Sequence, residues 1–114
     1  MLTSATDENG AEAHYLIAEI QHKQKRYKES METAFKFNNS FGNYEYWLGK
    51  NFLLIADNYV AQNELFQARG TLNSIIDNSP EKEIVEQAKA KLATLDNQQG
   101  QGSGEPTPDS NETK

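Results

Sequence analysis

The feature that most constrains this chain is the spacing of its apolar residues, which follows a helical period of three to four residues almost throughout. No segment alternates apolar and polar residues as a strand does, and the first proline is Pro80. Short turns between helices make neighbours antiparallel. The sequence therefore predicts an all-α fold of stacked antiparallel helical hairpins, with about five helices near residues 8–23, 27–38, 44–62, 65–77 and 80–95.

Turn signals separate the predicted helices. Phe41-Gly42-Asn43 interrupts the apolar pattern, and Asn43 is the expected N-cap of the third helix. Ser79-Pro80-Glu81 is typical of a helix start, with an N-cap serine, a proline in the first turn and an acid in the first turn. Each helix has an apolar face that we expect to point inward. Taken helix by helix from the first to the fifth, the expected inward residues are Ala11, Tyr15, Ile17, Ala18 and Ile20; Met31, Ala34, Phe35 and Phe37; Trp47, Leu48, Phe52, Ile55, Ala56 and Tyr59; Ala68, Leu72, Ile75 and Ile76; and Ile84, Ala88, Leu92 and Leu95.

The two ends differ in composition from the middle. From Gln98 to Lys114 the chain has no large apolar side chain, so burial there cannot offset the entropy of ordering. The expected organisation is a loose N-terminus over residues 1–7, a helical domain over residues 8–96 and a disordered acidic tail over residues 97–114.

Charge and cysteine content narrow the function classes. The 114 residues carry a net charge of −6, which disfavours binding to nucleic acid or to an anionic membrane. The longest apolar run, Phe52 to Ala56, is far too short to span a bilayer, so direct membrane insertion is not expected. Cysteine is absent, which leaves the compartment open. The sequence fits a cytoplasmic location. It fits a periplasmic or envelope location equally if the chain is part of an exported parent.

An internal repeat is visible in the third and fourth predicted helices. Ile55-Ala56 is followed by Tyr59, then by Ala68 nine residues later and by Pro80 twelve residues after that. Alanines at these places let two helices approach closely, the tyrosine fills the space beside them, and the proline ends one helix and opens the next.

A weaker copy of this pattern lies 38 residues upstream. Ile17-Ala18 stands where Ile55-Ala56 stands in the better copy, and Ser30 stands at the place of Ala68. The copy departs from the pattern at Gln21, which replaces the tyrosine, and it has no closing proline. The fifth helix has no second partner and is expected to cap the stack.

These spacings resemble the tetratricopeptide repeat family, with two repeats and a capping helix over about residues 10–96. The stretch 46–59 also resembles the C-terminal repeats of long envelope-associated repeat proteins of Bacteroidetes. The resemblance implies a short superhelix. Because an independent stack usually needs three units, it also implies one end, expected to be the C-terminal end, of a longer solenoid.

In this family the first helix of each unit forms the inner, concave wall, where a protein or peptide partner binds. Tyr15, Glu19 and Leu54 occupy places where the family's clamp for chaperone C-terminal carboxylates has lysine or asparagine, so that specialisation is not expected. The inner positions implied by the resemblance are Glu12, Tyr15, Glu19, His22 and Lys23 in the first helix and Lys50, Leu53, Asp57, Val60 and Ala61 in the third.

No residue pattern predicts catalysis, a cofactor or a metal. His14 and His22 lie eight positions apart, which is too far for an i, i+4 ligand pair, and Asp57 has no accompanying nucleophile or base. The basic run 22–28 is expected to be a solvated turn, and Gly100 to Gly104 lacks the strand and helix that a phosphate loop requires.

The leading interpretation is a non-catalytic protein–protein interaction scaffold. One alternative is a structural capping or homodimerisation module that uses exposed apolar surface on the first or fifth helix, so homo-oligomers and neighbouring repeats both stay open as partners. A small ligand-binding domain or enzyme is disfavoured. The aromatic cluster Tyr44, Tyr46 and Trp47 is either packed against the second helix or an exposed patch.

Overall fold

The computed structural model describes residues 8–102, with side chains described through Asn97. Within that range the chain forms α1 (Glu8–Lys23), α2 (Tyr27–Phe41), α3 (Glu45–Ala61), α4 (Leu65–Asn78) and α5 (Lys82–Gly102), and no strand. The predicted all-α fold is confirmed. The loose N-terminus expected over residues 1–7 and the tail from residue 103 onward lie outside the described residues.

Several helix ends differ from the prediction. α5 continues to Gly102 instead of ending near Leu95, because extending a formed helix adds one hydrogen bond per residue and no proline interrupts it before Pro106. The first six residues of the predicted tail are therefore helical. α2 continues to Phe41, whose side chain is buried in the core and stabilises this last turn.

Two predicted caps have different outcomes. Asn43 is not the N-cap of α3; the cap position is Tyr44, which makes no side-chain capping bond. Ser79 does accept a hydrogen bond from the backbone N–H of Glu81 at 3.1 Å, although α5 begins at Lys82 and not at Pro80. A serine hydroxyl that satisfies a free N–H just before the helix is the usual role of a capping residue.

The helices form two layers. α1, α3 and α5 lie side by side, α2 packs on α1 and α3, and α4 packs on α3 and α5. We call the first layer the inner layer and the second, α2 and α4, the outer layer. Although α2 and α4 do not contact each other, α3 packs against all four other helices and is therefore the central helix.

The two hairpin turns are alike in backbone geometry. In the α1–α2 turn, Lys25 N–H donates to the His22 carbonyl at 2.9 Å; in the α3–α4 turn, Asn63 N–H donates to the Val60 carbonyl at 2.9 Å. Each pair is separated from its counterpart by 38 residues, the spacing that the sequence repeat predicts.

The core consists of three clusters along the stack. Gly49 on α3 brings α5 close, because a Cβ atom built there would lie 2.7 Å from Cγ2 of Ile84. The clusters are Ala11, Tyr15, Ala18, Phe37, Phe41 and Leu54; Met31, Ala34 and Ile55; and Leu53, Ala56, Leu72, Ile75, Ile84 and Ala88.

Some expected inward residues point outward. Ile17, Ile20 and Phe35 are about half exposed, which corrects the predicted faces of the first two helices. Helical periodicity defines an apolar stripe, but which part of a wide stripe is covered depends on how many helices pack on it. The aromatic cluster is half-buried: Tyr44 and Trp47 pack against the core cluster that contains Phe37, and Tyr46 packs against the cluster that contains Ile84.

Candidate interaction surfaces

Three of the residues predicted for the inner wall meet between α1 and α3. The Tyr15 hydroxyl donates a long hydrogen bond of 3.5 Å to Glu19, and Lys50 Nζ lies 5.5 Å from the centre of the Tyr15 ring. The ring also packs against Trp47, with centroids 5.8 Å apart. Tyr15 is therefore a buried ring with a lysine over its face and a glutamate at its hydroxyl, and both charged side chains are partly exposed.

The phenol of Tyr15 is strongly biased towards its neutral form. Burial raises the pKa of Tyr15 well above its ordinary value near 10, and the negative charges of Glu19 and Asp57 raise it further. The hydroxyl therefore acts as a hydrogen-bond donor and not as a base. This argues for a packing and positioning role in the wall and against chemistry at this residue.

Asp57 forms an ion pair across α3 and α5. Lys91 Nζ lies 3.0 Å from Oδ1 and 3.2 Å from Oδ2 of Asp57, and each of the two side chains is about a third exposed. The pair borders an open hollow of about 350 Å³. The hollow is lined by Ala56, Asp57, Val60, Leu72, Ala90, Lys91, Thr94 and Leu95.

The remaining predicted wall residues separate. Leu53 is buried in the core and offers no surface, whereas Glu12 is exposed on α1 and Val60 lies at the hollow. His22 is held by a hydrogen bond to Asn58 instead of being free for a partner. The structure thus brings Tyr15, Glu19 and Lys50 together and places Asp57 and Val60 around a second centre with Lys91.

Sequence reasoning missed Lys91, because the fifth helix was interpreted only as a cap. It also missed a buried polar chain that joins three helices. The Ser30 hydroxyl donates to the Ala18 carbonyl at 2.7 Å, Asn58 Nδ2 donates to Ser30 Oγ at 2.9 Å, and His22 Nδ1 lies 2.7 Å from Asn58 Oδ1.

The donor and acceptor of each hydrogen bond in this buried network follow from the first bond, between Ser30 and Ala18. A backbone carbonyl can only accept, so the serine proton is committed to Ala18 and Ser30 Oγ must accept from Asn58. The amide oxygen of Asn58 then accepts from His22, which carries its proton on Nδ1. A buried chain with each donor matched to an acceptor fixes the relative positions of α1, α2 and α3.

A second buried amide, Asn51, lies two turns before Asn58 on the same face of α3. Its Nδ2 donates to the Ala34 carbonyl at 2.9 Å and to Asn38 Oδ1 at 3.0 Å. Its Oδ1 has no hydrogen-bond partner among the described residues. Neither Asn51 nor Asn58 was expected in the core, since no local pattern distinguishes them from surface asparagines.

The outward side of α1 is uncovered at positions whose counterparts on α3 are buried. Leu16, Ile17 and Ile20 are 41%, 51% and 52% exposed. The residues 38 positions later are Leu54, Ile55 and Asn58, at 4%, 2% and 0%. In α3 this face is covered by α2, the second helix of the preceding hairpin. Nothing in the described part of the chain covers α1 in the same way.

No three acidic or histidine side chains among residues 8–97 are grouped to hold a metal ion, and no described helix is long and apolar enough to cross a membrane. A pocket of about 210 Å³ between the start of α3 and the end of α4 has Glu45 as its one charged lining residue. These surfaces are suited to packing and to charge pairing.

No family model, curated protein or solved structure matches the chain.

Proposed function

We propose that the chain is a non-catalytic protein–protein interaction module of the tetratricopeptide type, the C-terminal end of a longer solenoid, which binds a peptide or partner protein on its inner face. The observation that carries this proposal is the difference between α1 and α3. Ile17 is half exposed where Ile55 is covered by a preceding helix. Repeat proteins bury such faces by stacking one unit on the next, so the open face of α1 fits a neighbouring hairpin.

The inner face supports the peptide-binding part of the proposal. The hollow beside Asp57 and Lys91 is apolar at its base, where Ala56 and Leu72 lie, and charged at its rim. An apolar side chain of a peptide could fill it while a neighbouring charged group exchanges with the ion pair. Such partly exposed ion pairs contribute only about 0–1 kcal/mol, so exchanging a partner costs little.

The charged side chains around Tyr15 would orient the same ligand. Lys50, stacked on Tyr15, and Glu19 beside it present opposite charges close together. A rigid surface that already holds its charged groups loses little conformational freedom on binding. A peptide with one apolar anchor and flanking charges of both signs is the chemistry that fits the whole wall.

The test is selection of binding peptides from a random display library, with the folded chain as bait, followed by titration calorimetry of the enriched sequence. Val60→Asp places a charge at the hollow and is expected to weaken the dissociation constant about tenfold or more. Leu16→Asp is the matched control, because Leu16 is 41% and Val60 38% exposed, on different faces. Failure to enrich any peptide, or equal effects of both variants, would contradict inner-face binding.

The alternative of a structural capping or homodimerisation module is favoured by the same open face of α1, since a second copy could cover it. Light scattering on the Ile17→Lys and Ile20→Lys variants distinguishes the two. Self-association that these changes abolish would favour the α1 dimer and remove the argument for a neighbouring repeat.

A further inference from the structure

The outer face of α4 carries an exposed aromatic residue in line with two small residues. Phe66, Gly70 and Ser74 follow one another at intervals of four, so they lie on one face of the helix. Phe66 is 86% exposed, the highest value among the large apolar residues that the structure describes. The rest of the described chain therefore buries almost none of this phenyl ring.

Gly70 lies in the interior of α4 and has ordinary helical backbone, without a positive φ. A Cβ atom built on it meets nothing within 4 Å, so packing inside the chain does not require glycine here. Glycine in a helix interior costs about 1 kcal/mol relative to alanine. At Gly49, by contrast, a Cβ atom would strike Ile84. The contrast indicates that glycine at position 70 lets another molecule approach the helix closely.

A hollow lies directly beside this face. It is shallow and open to solvent, with a volume of about 340 Å³. It is lined by Phe52 and Tyr59 of α3 and by Phe66, Gln67, Gly70, Thr71 and Ser74 of α4. Its base is aromatic, and beyond Phe66 and Gln67 its α4 wall consists of the small residues Gly70, Thr71 and Ser74. Small residues that let a second helix approach closely, next to a hollow that admits a ring, form a receptor for an aromatic side chain.

The charge distribution favours a second copy of this chain as the occupant. From Asn63 to Ser74 the residues on this face are uncharged, and Asp77 at the far end is the first charge on it. Arg69 does not belong to the face, because it pairs with Asp96 on α5. Two copies that each carry a net charge of −6 repel at most orientations, and least where uncharged surfaces meet.

The face is also self-complementary. Phe66 lies one turn before Gly70 and Ser74 one turn after it, so the large and the small residue are equidistant from the glycine. If two α4 helices cross antiparallel with the Gly70 residues opposite each other, Phe66 of each copy meets Ser74 and the hollow of the other. A contact that pairs the same two features twice around a two-fold axis is an isologous interface.

We propose that the chain forms a homodimer through the outer face of α4, with Gly70 at the two-fold axis and each Phe66 ring in the hollow beside Ser74 of the other copy. One pair of crossing helices buries an area at the low end of specific interfaces, below about 1,200 Å², so the dimer is reversible and concentration-dependent. It uses the outer layer and leaves the inner face free for the ligand of the proposed function.

Sedimentation analysis of the full chain up to about 1 mM tests the association and its site. We expect dimer to accumulate with concentration, and Phe66→Ser to weaken dimerisation about tenfold or more. Phe35→Ser is the matched control, because it removes another exposed phenyl ring, on α2, and should leave dimerisation unchanged. A chain that stays monomeric at this concentration, or a dimer that loses equal affinity in both variants, overturns the proposal.

The absence of cysteine allows a direct test of the axis. Gly70→Cys puts one thiol at the two-fold axis, where it meets its own copy at disulfide distance, a Cα separation of about 4.4–6.8 Å. Mild oxidation should give a covalent dimer much faster than for Asn39→Cys, an exposed position on α2. Equal cross-linking rates would place the contact elsewhere. Peptide binding to the inner face is measured separately, so either proposal can fail alone.

Discussion

Lys25 and Asn63 have the same left-handed backbone, with φ of 65° and 61°, at the same point of the α1–α2 and α3–α4 turns. In this region asparagine is tolerated better than other non-glycine residues, because its short polar side chain bonds locally. The two turns therefore adopt the same backbone geometry, but its cost in conformational free energy differs between them. Lys25 carries more strain than Asn63 does.

Glycine at these two positions should act unequally. Lys25→Gly relieves the strain of a long side chain at positive φ and should raise the free energy of unfolding by about 1 kcal/mol. Asn63→Gly should change it by about 0.5 kcal/mol or less, since added freedom in the unfolded chain offsets the smaller relief. Urea denaturation of both variants measures the difference. A larger gain at Asn63 than at Lys25 would contradict the strain argument.

The sequence was sufficient for the parts of the fold that depend on local patterns. Apolar periodicity and the 38-residue copy predicted the existence of each helix and the place of each hairpin turn. It failed for Ile17, whose exposure depends on whether another helix covers α1. It also failed for Asn58 and for the pairing of Asp57 with Lys91, because the partners lie 28 to 36 residues away in sequence.

Alanine at the two interior glycines should have opposite effects. At Gly49 the added methyl group lies 2.7 Å from a buried side-chain atom of Ile84, and overpacking of about 1–3 kcal/mol exceeds a helix-propensity gain of about 1 kcal/mol. At Gly70 the methyl group meets nothing, so the propensity gain remains, about 1 kcal/mol. Thermal denaturation at dilute, monomeric concentration compares them. Destabilisation at both positions would show that Gly70 has an internal role.

The side chains of Ser30 and Asn58, which share the buried hydrogen-bond network, should contribute to stability in a strongly coupled way. Asn58→Ala removes the acceptor of His22 and the donor to Ser30, so we expect a loss of about 2–3 kcal/mol in the free energy of unfolding. Ser30→Ala, the residue type that the second hairpin has at Ala68, should cost less. In the double variant the losses should be less than additive by about 1 kcal/mol. Additive losses in this cycle would mean that the two side chains do not act as one network.

The pH dependence of stability should reveal the buried phenol of Tyr15. Its pKa is raised in the folded chain by burial and by nearby carboxylates, whereas in the unfolded chain tyrosine ionises near its ordinary value of about 10. Above that pH the unfolded state loses the proton and the folded state keeps it, so stability falls as pH rises through this window. Below it the contribution is fully present.

Urea midpoints at pH 8 and at about pH 11 measure this loss. The Tyr15→Phe variant lacks the ionisation and should lose less stability between the two pH values than the natural chain. Tyr59→Phe controls for the removal of one phenol at a half-buried position. An alkaline loss that is the same in the natural chain and in Tyr15→Phe would show that Tyr15 does not titrate differently in the two states.

The open face of α1 makes a prediction about a lengthened chain. If residues 8–45 are duplicated immediately before residue 8, the copied α2 lies 38 residues upstream, where it can cover Leu16 and Ile17 as α2 covers Leu54 and Ile55. Covering this face should raise the unfolding midpoint, because adjacent repeats stabilise each other through their shared interface.

Substitution at Ile17 shows whether the added helix docks there. In the natural chain Ile17→Glu alters an exposed position and should cost about 0.5 kcal/mol or less. In the lengthened chain the same change in the second hairpin would bury a charge and should cost about 2 kcal/mol or more. Phe35→Glu, outward-facing in both chains, is the control and should cost the same in each. Equal costs for Ile17→Glu in the two chains would mean that α1 is a true end of the stack, and the α1 face would then give no support to a longer solenoid.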